Sequence, residues 1–478
     1  MKKLFIGLCC SALMLMSGCT SKHLDIFPEL SSPDLVNAEI APERLHQDID
    51  AFIDGVVERH PDLSKYTDLA EVYQQADILK NEITEPMTRQ AFFKKVGTLS
   101  HYFNDGHTFL IWPYQEYQAL QESGKLTFPF ALNVFPEGVF LKYGYQYKNS
   151  LLPKGAKLLS INGIDIDTIF STSQQLVGGE TEVLRKHVVA DRFPMMVWAV
   201  FGFVESFDMA FEVDTEIQRV ELTSGQQWAR VENANDNTQA DTQLATSDSD
   251  FSYHLINKET GYLKVATFDV SPDWFEDFVD ATFEKISQQK VKNLIIDIRE
   301  NGGGNTDTST YLASYLAKKP FRMISSMRER LNTDNRGIFN YKGNVGDVLT
   351  QEWDDWIAPV DETLSFKGNA YVLISPLSYS SAIVFATAVQ DNEMAMLVGR
   401  ETGGYANQTA QGNLFNLPNS ELRVYVATRL LVRPNGNLQV KGVVPDIPVA
   451  TTSEQIAAGE DADIAAVLAH VNGSLTER

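Results

Sequence analysis

The sequence is poor in cysteine and in basic residues. Its three cysteines, Cys9, Cys10 and Cys19, all lie near the N-terminus, so the rest of the 478-residue chain offers no disulfide, no thiol nucleophile and no thiolate metal site. The chain has 40 basic against 63 acidic residues, a formal net charge of −23. Because such a surface matches nucleic acid and anionic lipid headgroups poorly, we expect neither as a partner. No motif predicts a metal or another cofactor.

Long hydrophobic runs are also missing, since no segment after residue 19 has the ~18 consecutive apolar residues of a transmembrane helix. Residues 1–19 instead combine basic Lys2 and Lys3, a short apolar stretch at 4–16 and small residues before Cys19. This segment resembles a bacterial lipoprotein signal, in which Cys19 becomes the lipidated first residue, and an ordinary cleaved signal is the alternative. The resemblance implies a cell-envelope protein that touches the membrane only through this lipid. Thr20 favours the outer membrane of a Gram-negative bacterium.

The rest of the chain divides into regions of different pattern. Strands and helices alternate after residue 250, which predicts an α/β core. The predicted regions, in order, are a polar tether at 20–42, a helical region at 43–115 with helices from 43, at 68–83 and at 88–103, a module of short strands at 120–185, connecting strands and an acidic flexible loop at 186–250, the α/β core at 251–450 and a C-terminal tail at 451–478. Within the core we predict strands at 261–268, 291–298, 370–374 and 395–398, and helices at 274–286, 308–318 and 382–391.

A serine-rich turn follows one predicted core strand. The apolar run 371–374 passes through Pro376 into Ser378-Tyr379-Ser380-Ser381, and a helix begins at Ala382. A strand, a tight turn and a helix lift a serine hydroxyl clear of a sheet and aim helix N-terminal amides at the group that the serine attacks. A serine-rich helix cap without chemistry is the alternative.

Two further motifs supply what a nucleophilic serine needs. Three consecutive glycines, Gly302, Gly303 and Gly304, follow the predicted strand 291–298, and they lack the lysine of a phosphate-binding loop. Gly303 or Gly304 would give one oxyanion-binding amide and Ser381 the other. His107, in the turn at 104–108, is the candidate general base, with a structural histidine as the alternative.

Six motifs occur in one order along the chain, at 60–61, 104–108, 297–304, 378–382, 399–404 and 441–446. This order resembles the C-terminal processing (tail-specific) and tricorn-core serine peptidases over residues 43–450. The resemblance implies a helical N-terminal region, a crotonase-like (ClpP-like) α/β core and a PDZ-like module at 120–185, whose late strand is similar to the segment 155–163. An unrelated β insert is the alternative to the PDZ-like module. It also implies peptide or protein substrates that are cut through an acyl-enzyme.

The resemblance carries site residues onto individual positions. It places the nucleophile at Ser380 and the base at His107. The lysine of the processing branch falls on Tyr405, and no lysine lies between 370 and 440, so a Ser/Lys dyad is not expected. The position of the acidic partner in the tricorn-like branch corresponds to Gln439, which can form a hydrogen bond but carries no charge.

Two other carboxylates, Asp105 and Glu401, are alternative partners that could orient His107. In the tricorn-like pattern a serine precedes the histidine, whereas this chain has Gly106 there. The leading hypothesis is a lipid-anchored serine peptidase. A catalytically inactive peptide- or ligand-binding member, favoured by Gln439, and an envelope scaffold acting through the PDZ-like module are the alternatives.

Overall fold

A computed structural model describes residues 26–231, 250–335, 343–458 and 460–476. The predicted signal with Cys19 and nearly all of the predicted acidic loop lie outside these residues. No helix in the described part of the chain is long and apolar enough to cross a membrane.

The N-terminal region packs its helices around one apolar cluster. Its elements are α1 (Pro42–Arg59), α2 (Leu69–Glu82), α3 (Arg89–Val96), β1 (Phe109–Leu110) and α4 (Tyr114–Glu122), with 3₁₀ turns at Pro33–Val36, Leu63–Lys65 and Gly97–Phe103. Helix α1 forms because Leu45, Ile49 and Phe52 recur at helical spacing and are fully buried. The predicted helix at 88–103 is shorter, since its second half is a 3₁₀ turn.

The described part of the predicted tether packs on this region. The ring of Phe27 lies 4.5 Å from that of Tyr114, and Ile40, 2% exposed, pairs with Met87. The tether prediction is therefore wrong for residues 26–42, because apolar side chains anchor this segment to the folded body.

The β module carries two small antiparallel sheets and three helices. Its elements are β2 (Leu132–Phe135), β3 (Gly138–Leu141), β4 (Gly144–Tyr147), β5 (Ser150–Leu152), β6 (Lys157–Ile161), β7 (Ile164–Asp165), α5 (Ile166–Gln174), α6 (Glu182–Asp191), α7 (Phe193–Phe201), β8 (Ser206–Val213), β9 (Glu216–Thr223) and β10 (Ala229–Val231). One sheet has the order β2-β3-β6-β8-β9 with β7 beside β6, and the other the order β10-β4-β5. The region 186–250, predicted as connecting strands, also contains α7 and most of α6.

The core is a mostly parallel sheet covered on both faces. Its elements, with those that follow in the chain, are β11 (Phe251–Asn257), β12 (Thr260–Val265), α8 (Pro272–Gln288), β13 (Asn293–Asp297), α9 (Thr306–Leu316), β14 (Ser326–Arg330), β15 (Val348–Glu352), β16 (Asn369–Ile374), α10 (Ser381–Asp391), β17 (Met396–Gly399), β18 (Thr409–Asn416), β19 (Arg423–Val432), β20 (Ile447–Pro448), α11 (Ser453–Ala457) and α12 (Ala462–Thr476). The strand order is β11-β12-β13-β16-β17-β20, and all neighbours except β11 and β12 are parallel.

Burial on both faces explains the continuous apolar strands of this sheet. On one face Leu294 and Ile296 pack in the cluster that α8, α9 and α10 cover, while on the other Ile295 packs with Val467 of α12. Arg299 also binds Asp461 and Asp463 of the C-terminal segment. The predicted C-terminal tail is therefore wrong as a tail, since it supplies a helix that covers the sheet.

A second, antiparallel sheet brings the N-terminal region onto the core. Its order is β1-β19-β14-β15, with β18 also paired to β19. Strand β1 pairs with β19 at Phe109 opposite Tyr425 and Leu110 opposite Val424. Because the turn at 104–108 leads directly into β1, this pairing fixes where that turn lies against the core.

Candidate active site

The site lies at the carboxyl ends of β13 and β16. These neighbouring strands are parallel, so the loops that follow them meet at one edge of the sheet. The glycines at 302–304 follow β13, and the serine-rich turn follows β16. The backbone N–H of Tyr379 donates to the carbonyl of Asn301 at 2.9 Å, and Ser378 Oγ donates to the carbonyl of Ile298 at 2.8 Å, so the two loops are held together.

Ser380 sits at the start of α10 in a strained backbone conformation. Its φ of 53° and ψ of −123° lie outside the regions that non-glycine residues favour. Such strain costs about 1–3 kcal/mol and persists only where surrounding contacts impose it. A sharp strand-to-helix turn of this kind exposes a nucleophilic hydroxyl above a sheet.

His107 lies beside this serine, although 273 residues separate them in the sequence. Its Nε2 is 3.0 Å from Ser380 Oγ, which is hydrogen-bond distance. The imidazole is only 6% exposed, and burial lowers its pKa below the usual 6.5, although the charge of Asp105 opposes that shift. The structure thus brings together the two residues predicted as nucleophile and base.

The other ring nitrogen of His107 faces two hydroxyl groups. Its Nδ1 lies 3.0 Å from the phenolic oxygen of Tyr379 and 3.3 Å from Thr409 Oγ1. The Tyr379 ring stacks on the imidazole at 4.8 Å with an interplanar angle of 27°. If Nε2 accepts the proton of Ser380, Nδ1 carries a hydrogen and donates to these two oxygens.

The carboxylate of Asp105 holds the turn at 104–108, which carries His107, through hydrogen bonds. Its Oδ1 accepts from the backbone N–H of His107 and from Thr409 Oγ1, and its Oδ2 from His60 Nε2 and Thr108 Oγ1. Burial alone would raise the pKa of Asp105, but the bond and charge of His60, the charge of His107 and the Thr409 hydroxyl together lower it. Asp105, one of the two alternatives to Gln439, therefore reaches His107 through its backbone and through Thr409.

Glu180 is a site residue that the sequence analysis missed. It lies in the loop between α5 and α6, is 7% exposed, and its Oε1 accepts the hydroxyl of Tyr379 at 2.9 Å. Burial, with a further contribution from the charge of Asp105, raises its pKa from 4.5 to about 8. The only sequence signal is the preceding glycine pair, because a Cβ on Gly178 would lie 2.5 Å from the carbonyl oxygen of Asp105.

Gln439 does not belong to this constellation. It is exposed, its backbone N–H donates to Asn437 Oδ1, and its carbonyl accepts from Asn407 Nδ2. Among the described residues no hydrogen bond joins its side chain to His107, so its prediction as third catalytic residue is wrong. Glu401 is also exposed and makes no described bond to His107. The order of the motifs led to Gln439, but it does not determine which way a side chain points.

The predicted oxyanion donors have different surroundings. The N–H of Gly303 donates to Asn301 Oδ1 at 2.9 Å, so it is not the free amide that was predicted. Gly303 nonetheless packs against Ser380, since a Cβ at position 303 would lie 2.5 Å from Ser380 Cβ. Gly304 and Ser381 make no backbone N–H bond among the described residues, and Ser381 is the first residue of α10. Both stay predictions as donors.

Metal ligands do not cluster in the described residues, where no group of three or more His, Cys, Asp or Glu side chains could hold an ion.

The fold and the arrangement of Ser380 and His107 can be compared with those of known proteins. The site places a serine hydroxyl and a histidine side by side at the edge of an α/β core. Residues 259–449 match the model of peptidase family S41. The core of the chain is therefore similar to this family of peptidases.

One relative is the tail-specific protease of Haemophilus influenzae, 25% identical over 213 residues, which are 43% of this chain and 27% of the relative. The matched segment thus spans about a quarter of that relative's length. Two solved structures share the fold. Mature CPAF complexed with lactacystin has a TM-score of 0.64 at 14% identity, covering 87% of this chain and 95% of that one. A second structure of mature CPAF has a TM-score of 0.62 at 14% identity, covering 87% and 94%.

Proposed function

We propose that this protein is an exported, lipid-anchored serine peptidase that hydrolyses peptide bonds through an acyl-enzyme on Ser380, with His107 as general base. The observation that carries the proposal is the 3.0 Å contact between His107 Nε2 and Ser380 Oγ. The strained backbone at Ser380 and its place before α10 support the same role. The match of the core to the model of peptidase family S41 supports peptides or proteins as the substrate class.

The proposed reaction has two halves. Nε2 of His107 takes the hydroxyl proton as Ser380 Oγ attacks the peptide carbonyl carbon, and the imidazolium then gives that proton to the leaving amine. Water, activated by the same nitrogen, releases the acyl group. The low pKa of His107 keeps the ring neutral and able to accept a proton near neutral pH.

Backbone amides would hold the oxyanion that forms in each half. We assign this role to the N–H groups of Ser381 and Gly304. The first is at the N-terminus of α10, where the helix dipole favours negative charge. One such donor is typically worth about 3 kcal/mol of barrier.

A fluorophosphonate probe tests the nucleophile directly. We expect stoichiometric labelling that mass spectrometry maps to Ser380, loss of labelling in Ser380→Ala and slow labelling in His107→Gln. Ser287→Ala, which removes an exposed hydroxyl from α8, is the matched control and should label normally. Hydrolysis of quenched fluorescent peptides should follow the same order. Absent labelling of the wild type, or unchanged labelling in Ser380→Ala, would remove the proposal.

The finer architecture and the location are part of the same proposal. We take the core as crotonase-like, the β module as PDZ-like and Cys19 as the lipidated residue in the outer membrane of a Gram-negative bacterium. Radiolabelled palmitate should enter the wild type but not Cys19→Ser, and the wild type should sediment with outer-membrane fractions. Equal incorporation in both proteins would contradict lipid attachment at Cys19.

A further inference from the structure

The Nδ1 side of His107 has partners that the family pattern does not foresee. That pattern puts a glutamate at the position of Gln439, which is exposed and makes no described bond to the histidine. We propose that Tyr379 and Glu180 are the positioning pair for His107, with the Tyr379 hydroxyl between imidazole Nδ1 and the Glu180 carboxylate. This inference rests on the proposed function, because it assigns how the general base is oriented.

The hydrogen-bond directions allow only one productive chain. Tyr379 OH has one hydrogen, and the carboxylate oxygen 2.9 Å away can only accept it when ionised. The phenolic oxygen then accepts the Nδ1 hydrogen of His107 at 3.0 Å. This arrangement holds the tautomer in which Nε2 is free to take the proton of Ser380. The Thr409 hydroxyl, which donates to Asp105, accepts from the same Nδ1 at 3.3 Å and forms a second, longer branch.

The surroundings of Glu180 favour a role in the transition state. Its carboxyl group is buried, the backbone N–H groups of Glu180 and Gly106 favour its charged form, and no ion pair to it exists among the described residues. Arg185, which feels the Glu180 charge, donates to the carbonyl of Gly179 instead. A buried carboxylate without a cation is costly, and that cost falls when a positive charge forms nearby. Because His107 becomes an imidazolium only during the reaction, the relay would stabilise the transition state more than the resting enzyme.

Gly106 provides an independent geometric argument. A Cβ at this position would lie 2.3 Å from the Tyr379 hydroxyl oxygen and 3.2 Å from Glu180 Oε2. The serine that the tricorn-like pattern places before the histidine would therefore collide with the proposed pair. The glycine leaves the space that Tyr379 and Glu180 occupy, so the two departures from the family pattern, Gly106 and Gln439, have one explanation.

Peptide hydrolysis by Tyr379→Phe, Glu180→Gln and the double variant tests the pair. Tyr379→Phe keeps the stacked ring and removes only the hydroxyl. Above pH 8, where Glu180 is ionised, we expect kcat to fall about tenfold to hundredfold in each single variant with little change in KM, because the hydrogen bond that orients His107 or the carboxylate charge behind it is lost. The double variant should be no slower than the slower single variant, since both changes break one chain. Tyr253→Phe, the matched control, removes a hydroxyl that donates to Gln289 Oε1 and should keep kcat within about twofold.

The pH profile separates positioning from general damage. The groups whose charges bear on Glu180 or that bond to it are Tyr66, Asp105, Arg185, Tyr379 and Tyr405. With a pKa of about 8 at Glu180, the wild-type kcat should rise further as pH passes that value, and Glu180→Gln should lose this rise. Single losses below twofold, or losses that multiply in the double variant, would overturn the pair while leaving labelling of Ser380, and thus the proposed function, intact.

The hydrogen bond at His107 Nδ1 can also be measured without catalytic turnover, so the proposal can be tested even if the wild type is inactive. In protein labelled with nitrogen-15 histidine, the resonance assigned by His107→Gln should show a protonated Nδ1 that shifts in Tyr379→Phe but not in the control Tyr253→Phe. An unprotonated Nδ1, or a resonance indifferent to Tyr379→Phe, would refute the relay even if no probe labels the protein.

Discussion

Replacement of Asp105 by asparagine is the sharpest test of how the histidine turn is held. The carboxylate accepts four hydrogen bonds, two on each oxygen. An asparagine oxygen can keep the two on Oδ1, but its NH₂ group would face the donors on Oδ2. His60 cannot adapt, because its Nδ1 accepts from the backbone N–H of Asp62 and its Nε2 therefore carries the hydrogen. Thr108 can turn its hydroxyl to accept.

The magnitude follows from this count. One buried donor left unsatisfied costs about 1–3 kcal/mol. The remaining hydrogen bonds change from a charged to a neutral acceptor, and their weakening adds a similar amount, so we expect the free energy of unfolding to fall by about 2–5 kcal/mol. Urea unfolding of Asp105→Asn against wild type measures it. Asp277→Asn, an exposed change on α8, is the control and should stay within about 0.5 kcal/mol.

The pH dependence of this difference has a definite sign. The pKa of Asp105 is lowered in the folded protein from 3.8, so its contribution is present above that value and is lost as pH falls towards the native pKa. The stability gap between wild type and Asp105→Asn should therefore be constant between about pH 5 and 8 and narrow below about pH 4. A gap under about 0.5 kcal/mol, or one that widens in acid, would refute this account of the turn.

Three further outcomes are expected. Gly303→Ala should lower the free energy of unfolding in urea by about 2–5 kcal/mol and slow labelling by fluorophosphonate, because φ is +107° there and the added Cβ would lie 2.5 Å from Ser380 Cβ. Unchanged values would contradict this packing. The acid limb of kcat/KM should have its midpoint below 6.5, because burial lowers the pKa of His107 and activity needs the neutral ring; a midpoint at or above 6.5 would argue against this base. Since the pKa of Glu180 rises from 4.5 to about 8, the native protein keeps a proton that the unfolded chain releases, and stability should fall with rising pH in that window. Glu180→Gln should flatten this slope by up to about 1.4 kcal/mol per pH unit, and parallel stability curves would exclude the raised pKa.

Elements buried on both faces could be predicted from the sequence. Strand β13, predicted at 291–298, is found at Asn293–Asp297, and β16 is found at Asn369–Ile374 against a prediction of 370–374. Both are continuous apolar runs because helices cover each face of the sheet. Helix α7 was not predicted, since its run of apolar residues in Phe193–Phe201 has no helical stripe and a short buried helix cannot be told from a buried strand by periodicity.

The site residues also differ in how far the sequence could predict them. Ser380 and His107 stand in short local motifs whose residue types predict turns, and the family resemblance selects Ser380 among the neighbouring serines. Gln439 failed because its position was taken from spacing to a later motif, and spacing does not determine which way a side chain points from an extended segment. Glu180 could not be found, because its contact with Tyr379 spans 199 residues and depends on how the α5–α6 loop packs.

The assembly of the site from separate regions also explains why its parts differ in predictability. Ser380 and the glycine loop come from one sheet, and the carbonyl of Asn301 accepts from the backbone N–H of Tyr379 while its side chain accepts from the backbone N–H of Gly303. Tyr379 is therefore positioned by the core although its hydroxyl serves a histidine from the N-terminal region. Glu300, next to Asn301, binds Lys142 of the β module and Lys264 of the core. The loop after β13 is thus tied to the core and to the β module, and the geometry of the candidate site depends on how these regions and the N-terminal region dock rather than on any one motif.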